Sequence, residues 1–450
     1  MTHWHPRRGA GAPWEWKGPM NSRGEPLGLG IEESVLANGL KVLLVERQGA
    51  PVASVWAWYR VGSRNERLGI TGASHWVEHM LFKGGREFGK GEIFKEVAKH
   101  GGVNNGFTHY DFTAYFETLP ASALDLGLRI EADRMAHAQF DPAEVESERS
   151  VIISEREGAE NQPAYVLDEE INATAFREHP YRWSVLGYKA DLRVMTRGDL
   201  FGYYRTYYAP NNAFLVVAGQ FDGAGLLTRI EELYGGIPRG EEPPTPCIGE
   251  PEQQAEREVT LRRAGGAALV RAVFHAPAVT DSDLYPLTVA STVLGGAHGM
   301  GMGGSVGGRT SRLHVALVRK ELASGAYAHC HWSVDPHLYS AGATVRHGVE
   351  PARTEAALLA ELKRLADEPP SAEELEKART QIRAAFAYGW DSATGIGGVV
   401  GSCEAVDSYH RLNTYLDRVD AVGADDVARV AAKYFHASNR TIGRFIPTGG

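Results

Sequence analysis

His75 and His79 stand four residues apart in the run Ser74-His75-Trp76-Val77-Glu78-His79-Met80. On a helix that interval puts both imidazoles on one face, where they can share an ion, and Glu78 falls on the same face. Imidazole is a borderline-soft ligand that suits Zn²⁺, and a carboxylate standing beside the ion can take a proton from the water there. The run therefore holds two ligands and a general base. A catalytic zinc usually takes three protein ligands and keeps a fourth position open, so a further His, Asp, Glu or Cys is expected elsewhere.

A later segment supplies it. Asp141-Pro142 is a good N-cap and first-turn pair, and the helix it opens carries Val145, Glu148, Ile152 and Glu155 on one stripe. Two carboxylates on an otherwise apolar stripe are costly unless a cation or donors meet them, whereas Glu144, Glu146 and Glu157 can sit in water. The plainer reading is a half-exposed helix with surface ion pairs. The two-histidine helix in the same half of the chain would supply the cation that the stripe needs.

These residues must be positioned by regular elements. Dense β-branched and aromatic runs at 42–46 and 52–61 read as a strand pair, with another pair in 106–119. Helical periodicity covers 72–83, 92–100, 121–136 and 142–157. Hairpins and helices mixed this way indicate an α+β fold rather than a parallel doubly wound sheet. Five prolines between positions 238 and 251, with glycine and several glutamates, suit a stiff exposed linker. On either side of it Asp199-Leu200, Tyr207-Tyr208 and Asn212 recur as Asp426-Val427, Tyr434-Phe435 and Asn439, all at one offset of 227 residues. A constant offset of that size marks a duplicated domain. The organisation expected is an extension over 1–30, a first domain over 31–237, a linker over 238–256 and a second domain over 257–450.

Composition bounds what else the chain can be. With 43% apolar and 23% charged residues among 450, it is neither disordered nor fibrous. The 47 basic and 56 acidic side chains give −9 with no long block of either sign, so nucleic acid and anionic membranes are not the expected partners. The N-terminal residues lack the apolar stretch of a signal peptide, and no run is long enough to span a bilayer. Cys247, Cys330 and Cys403 are odd in number and form no C-x-x-C pair, which suits a reduced compartment. The protein is expected to be soluble and cytoplasmic.

The pattern His75-x-x-Glu78-His79, followed 76 residues later by Glu155 with Glu148 seven before it, resembles the inverted zinc signature of the pitrilysin, insulysin and mitochondrial processing peptidase family. The surrounding residues are similar too: Arg60-Val-Gly-Ser-Arg-Asn-Glu66, Met80-Leu-Phe-Lys-Gly84, Gly101-Gly-x-x-Asn105-Gly-Phe-Thr108, Ala132-Asp-Arg-Met135 and Tyr208-Ala-Pro-Asn-Asn212. The resemblance implies a zinc endopeptidase with one Zn²⁺ held by His75, His79 and Glu155. Glu78 would be its general base and Glu148 a supporting carboxylate. It implies two homologous α+β domains, each a mainly antiparallel sheet packed against helices, with the metal site in the first only. The segment 105–115 alternates as an edge strand does, and the substrate would be a peptide or unfolded segment bound to that strand by β-augmentation, with Asn105 and Gly106 at the substrate-contacting positions. Family members more usually have Ala where Gly106 stands. A chain of this length is the short form, which pairs with a second subunit to close a peptide-holding chamber. A heterodimer is the favoured arrangement and a homodimer the alternative.

The second half departs from the pattern. The family carries an Arg and a Tyr seven residues apart there, donors for substrate and the tetrahedral oxyanion. Counting on from Ser311-Arg312-Leu313 puts Val318 and Gly325 in those places, leaving Arg319 and Tyr327 at an interval of eight. Either a partner subunit supplies the pair, which is the favoured reading, or the loop is reshaped and Arg319 and Tyr327 serve. Residues 295–308 hold eight glycines but no Gly-Lys-Ser/Thr, which excludes a phosphate loop and suggests a mobile one. His298, His3, His5 and His109 read as solvated rather than ligating. The rival to a peptidase is a non-catalytic core-type scaffold or assembly subunit, in which the metal motif would be degraded. A purely structural zinc would call for four protein ligands.

Overall fold

The computed structural model describes residues 29–246, 249–299, 305–306 and 308–448. The expected extension, apart from Leu29 and Gly30, thus lies outside the described residues, as do His3, His5, Cys247 and much of the glycine-rich loop. The first half contains β1 (Ile31–Val35), β2 (Lys41–Glu46), β3 (Val52–Tyr59), α1 (Ala73–Met80), α2 (Glu92–Lys99), β4 (Val103–Thr108), β5 (Thr113–Pro120), α3 (Leu124–His137), α4 (Pro142–Glu160), α5 (Pro163–Ala175), α6 (Lys189–Val194), α7 (Arg197–Tyr207), β6 (Ala213–Gly219) and α8 (Gly223–Tyr234). The second contains β7 (Arg257–Arg263), β8 (Leu269–Ala276), α9 (Leu284–Gly295), the short β9 (Ala297–His298) and β10 (Ser305–Val306), β11 (Ala323–Cys330), β12 (His337–Val345), α10 (Pro351–Asp367), α11 (Ala372–Gly389), α12 (Ala393–Val406), α13 (Tyr415–Ala421), α14 (Ala424–Tyr434) and β13 (Arg440–Pro447).

Each half builds one mixed sheet, so the chain is α+β as its sequence predicts. The strand orders are β1-β2-β6-β3-β5-β4 and β11-β12-β8-β13-β7. Neighbours run antiparallel except β2 with β6 and β13 with β7. The sequence Val52-Ala-Ser-Val-Trp-Ala-Trp-Tyr59 does not alternate polar with apolar because both faces of β3 are covered. Val55, Ala57 and Tyr59 join the core formed with α1, α3 and α7. Trp56 and Trp58 point the other way, into a core shared with the second half. There α12 crosses the sheet with Gly397 and Gly401 against the two indoles, and a Cβ would stand 2.2 Å from Trp56 ring atoms at the first position and 2.0 Å from Trp58 at the second. Only glycine permits that approach.

The internal repeat has a physical counterpart at the same offset. Asp199 Oδ2 accepts from the Thr196 amide and Asp426 Oδ2 from the Gly423 amide, capping α7 and α14 in the same way. Asn212 Nδ2 then donates to the Tyr207 carbonyl at 2.8 Å, as Asn439 Nδ2 does to Tyr434 at 2.9 Å, fixing the turn into β6 and β13.

Two sequence expectations need correction. The edge strand does not continue to Tyr115: it ends at Thr108, the chain turns through 109–112, and β5 lies inside the sheet between β3 and β4. Phe112, buried in the turn, mimics one more strand position. The segment 238–256 is not simply exposed either. Glu250 accepts backbone amides of Arg177, Glu178 and His179, and Gln253, 4% exposed, donates to the Arg440 carbonyl. Among the described residues, no helix is long and apolar enough to cross a membrane.

Candidate metal centre

The site is built from α1 outward. Gly72 precedes that helix at φ +89°, a left-handed conformation that glycine adopts without strain. Glu66 accepts the Gly72 and Ser74 amides, both at 2.8 Å, satisfying N-terminal donors that the short helix would leave unpaired. Trp76, Val77 and Met80 anchor one face in the core. Opposite lies α4, whose N-cap Asp141 accepts from the Ala143 and Glu144 amides. Arg149 on α4 lies over the Trp76 ring at 4.8 Å and donates to the Leu192 and Met195 carbonyls, which locks α4 against α1.

That packing brings the candidate ligands together. Ligand atoms of His75, His79 and Glu155 all lie within 4.8 Å of one another, the one such three-residue group among the described residues. Glu155 Oε2 is 3.6 Å from His75 Nε2 and 3.5 Å from His79 Nε2. His79 Nδ1 bonds to Glu148 Oε1 at 2.8 Å, with Nδ1 as the donor, and Nε2 faces Glu155. Burial holds the His75 imidazole neutral, pushed down to about 3, with the His79 ring a lesser cause. Two imidazoles, a carboxylate and, among the described residues, no fourth protein ligand make a donor set that fits an open catalytic zinc site.

Two further carboxylates complete the surroundings. Glu78, 8% exposed, is raised above the usual carboxylate range by burial; a hydrogen bond from Thr108 Oγ1 to its Oε2, at 2.7 Å, opposes the shift. Glu148 is buried as well, which would raise it, but bonds from Lys83 and His79 outweigh burial and hold it below that range. Lys83 Nζ sits 2.5 Å from Glu148 Oε2. Lys83 carries no ligand spacing of its own in the sequence. Its signal is the charge balance of the stripe, since a buried carboxylate needs a cation beside it.

Asn105 and Gly106 lie on β4, at the sheet edge, with Asn105 exposed and paired in register with Phe116. A Cβ at position 106 would come within 2.9 Å of Tyr115 and 3.1 Å of Phe82, so glycine makes room for the two rings. Arg319 and Tyr327 are not brought together. Arg319 is exposed and donates to the Arg309 carbonyl, while the Tyr327 ring lies under the Arg271 guanidinium at 5.0 Å. Between them, β11 shifts register from Ala323 to Gly325 against Val345 and Thr344, so Ser324 is a bulge residue that the ladder does not count.

His109 is not solvated as its sequence context suggests. It lines a cavity of about 270 Å³ between the halves with Trp58, Phe107, His298, His329 and His331. Its Nδ1 is buried with no partner among the described residues, and burial pushes the ring down to about 4.

The profile described as "Insulinase (Peptidase family M16)" matches residues 41–189, and "Peptidase M16 inactive domain" matches 195–382. The chain belongs to the M16 peptidase family. Within M16 it is 28% identical to zinc protease PqqE of Helicobacter pylori over 416 residues, 91% of either chain. It is 26% identical to a probable mitochondrial-processing peptidase subunit beta of Arabidopsis thaliana over 420 residues, 92% of this chain and 78% of that one. The crystal structure of a protease from Helicobacter pylori superposes with a TM-score of 0.88 at 27% identity, covering 93% of this chain and 99% of the other. A peptidase M16 inactive domain from Pseudomonas fluorescens shares the fold, with a TM-score of 0.83 at 16% identity over 93% of this chain and 98% of that chain. The three-residue group of this M16 chain lies wholly within the half matched by the insulinase profile.

Proposed function

We propose that this chain is a zinc metalloendopeptidase that hydrolyses peptides or unfolded segments inside a closed chamber, as the zinc-bearing subunit of a dimer. His75, His79 and Glu155 would hold one zinc ion. The observation that carries this reading is that Glu78 stands on the ligand helix with a hydrogen bond to Thr108 and outside the three-residue ligand group. A core-type scaffold has no use for such a spare carboxylate. Bound zinc would supply a Lewis acid that polarises a carbonyl and acidifies water. Glu78 would accept the proton and return it to the leaving amine. Glu148, kept ionised by Lys83, would orient His79. The free edge of β4, with Asn105 and Gly106, would pair with the substrate backbone. With Arg319 and Tyr327 apart, a homologous partner subunit would bring the oxyanion donors, a heterodimer being favoured over a homodimer. The compartment we propose is the cytoplasm, which suits the free buried thiols of Cys330 and Cys403.

Elemental analysis and hydrolysis of unstructured peptides test the proposal on the purified chain, alone and with a homologous subunit. The expected result is close to one zinc per chain, most of it lost in Glu155→Gln and retained in Glu78→Gln, which hydrolyses nothing. Zinc-free protein, or Glu78→Gln turning over like the wild type, overturns the reading.

A further inference from the structure

The Glu78 carboxylate is held by one side chain, and that side chain belongs to the strand along which a peptide would lie. Thr108 is the last residue of β4, and its Oγ1 donates to Glu78 Oε2 at 2.7 Å. Among the described residues, Oε1 of Glu78 has no hydrogen-bond partner. A glutamate side chain has three rotatable bonds, and a carboxylate that nothing held would turn among several orientations, some with neither oxygen directed at the reacting atoms. The Thr108 bond removes that freedom and leaves one oxygen available.

Thr108 itself is well fixed. It pairs with Thr113, whose hydroxyl donates to the Val61 carbonyl at 2.8 Å, and the His109 amide closes the turn on the Phe112 carbonyl at 2.7 Å. Strand alternation places Gly106 and Thr108 on the same side of β4, toward α1. The first takes the Phe82 ring against its bare Cα and the second meets Glu78. Helix and strand are thus joined at the base by a single hydroxyl.

We propose that Thr108 is a positioning residue: its hydroxyl fixes the Glu78 carboxylate with Oε2 engaged and Oε1 free to accept the proton, and so ties the orientation of the base to the substrate-binding edge. This rests on the peptidase reading and deepens it. Supporting partners one step removed from the chemistry are typically worth about 10- to 100-fold, so a loss of that order is expected in kcat.

The test compares Thr108→Val, which keeps the shape and removes the donor, with Thr108→Ser, which keeps the donor and loses the methyl group. Measurements are kcat and KM on an unstructured peptide, zinc per chain and thermal unfolding. In Thr108→Val, kcat should fall about 10- to 100-fold with KM changed less than about twofold, zinc content intact and the fold retained; Thr108→Ser should recover most of the rate. Wild-type kcat in the Val variant, a loss confined to KM, or a Ser variant as slow as Val overturns the inference while the peptidase reading stands. A wild-type chain that cleaves no peptide, with or without a homologous subunit, overturns both.

Discussion

Lys83 Nζ lies 2.5 Å from Glu148 Oε2, and the other oxygen of that carboxylate takes the Nδ1 proton of His79 at 2.8 Å. The ammonium group would therefore act on a metal ion held at this site through two intermediaries. It keeps Glu148 anionic in a place where burial alone would favour the neutral acid, and an anionic Glu148 fixes the tautomer of His79.

Lys83→Met, which keeps the aliphatic stem, should weaken zinc binding about 10- to 100-fold without unfolding the chain. Competition against a chelator of known affinity measures it. Unchanged affinity would show that Glu148 stays ionised without the ammonium.

Gly106→Ala should destabilise the protein by about 1–3 kcal/mol, because the new methyl meets the buried Tyr115 ring and the half-buried Phe82 ring and something must shift. The gain from restricting the unfolded chain, about 0.4–1 kcal/mol, is too small to offset this. Urea unfolding reads the difference, and a variant as stable as the wild type would mean that the rings move aside freely.

Tyr327→Phe should leave hydrolysis by the isolated chain nearly unchanged, since the Tyr327 ring is engaged with Arg271 and not with Arg319. Adding a homologous subunit should raise turnover by about 10²- to 10³-fold, the usual worth of an oxyanion donor. A fully active isolated chain that fails on Tyr327→Phe would assign the donors to this chain.

Glu374 gives a pH signature far from the site. Its fork to Arg312, at 2.8 and 2.9 Å, is the chief cause that lowers it to about 2. A group depressed on folding adds stability above its ordinary range, near 4.5, and loses that contribution as pH falls toward 2. Replacing it in Glu374→Gln should flatten the decline of stability over that window. An identical acid-unfolding profile would show that the pair contributes nothing.

The two helices of the candidate site are legible because their information is local. A four-residue interval and an Asp-Pro start each state a helix and its face, and the repeat could be read because one asparagine per half closes the same turn. What escaped depends on contacts distant in sequence. Lys83 and Thr108 acquire meaning only when α4 and β4 arrive beside α1, and β6 slips between β2 and β3 with no mark in either neighbour. The end of β4 was misjudged because Phe112 continues an apolar rhythm through a turn, and His109 because a lone histidine carries no periodicity.

The seam of Gly397 and Gly401 against Trp56 and Trp58 makes the halves obligate companions. Neither could be expressed alone without stripping cover from large aromatic surfaces: residues 31–237 would present both indoles, Phe116 and Phe214 to water. Severing the chain between them would nick the molecule without dividing it, and heat should melt both sheets in one event.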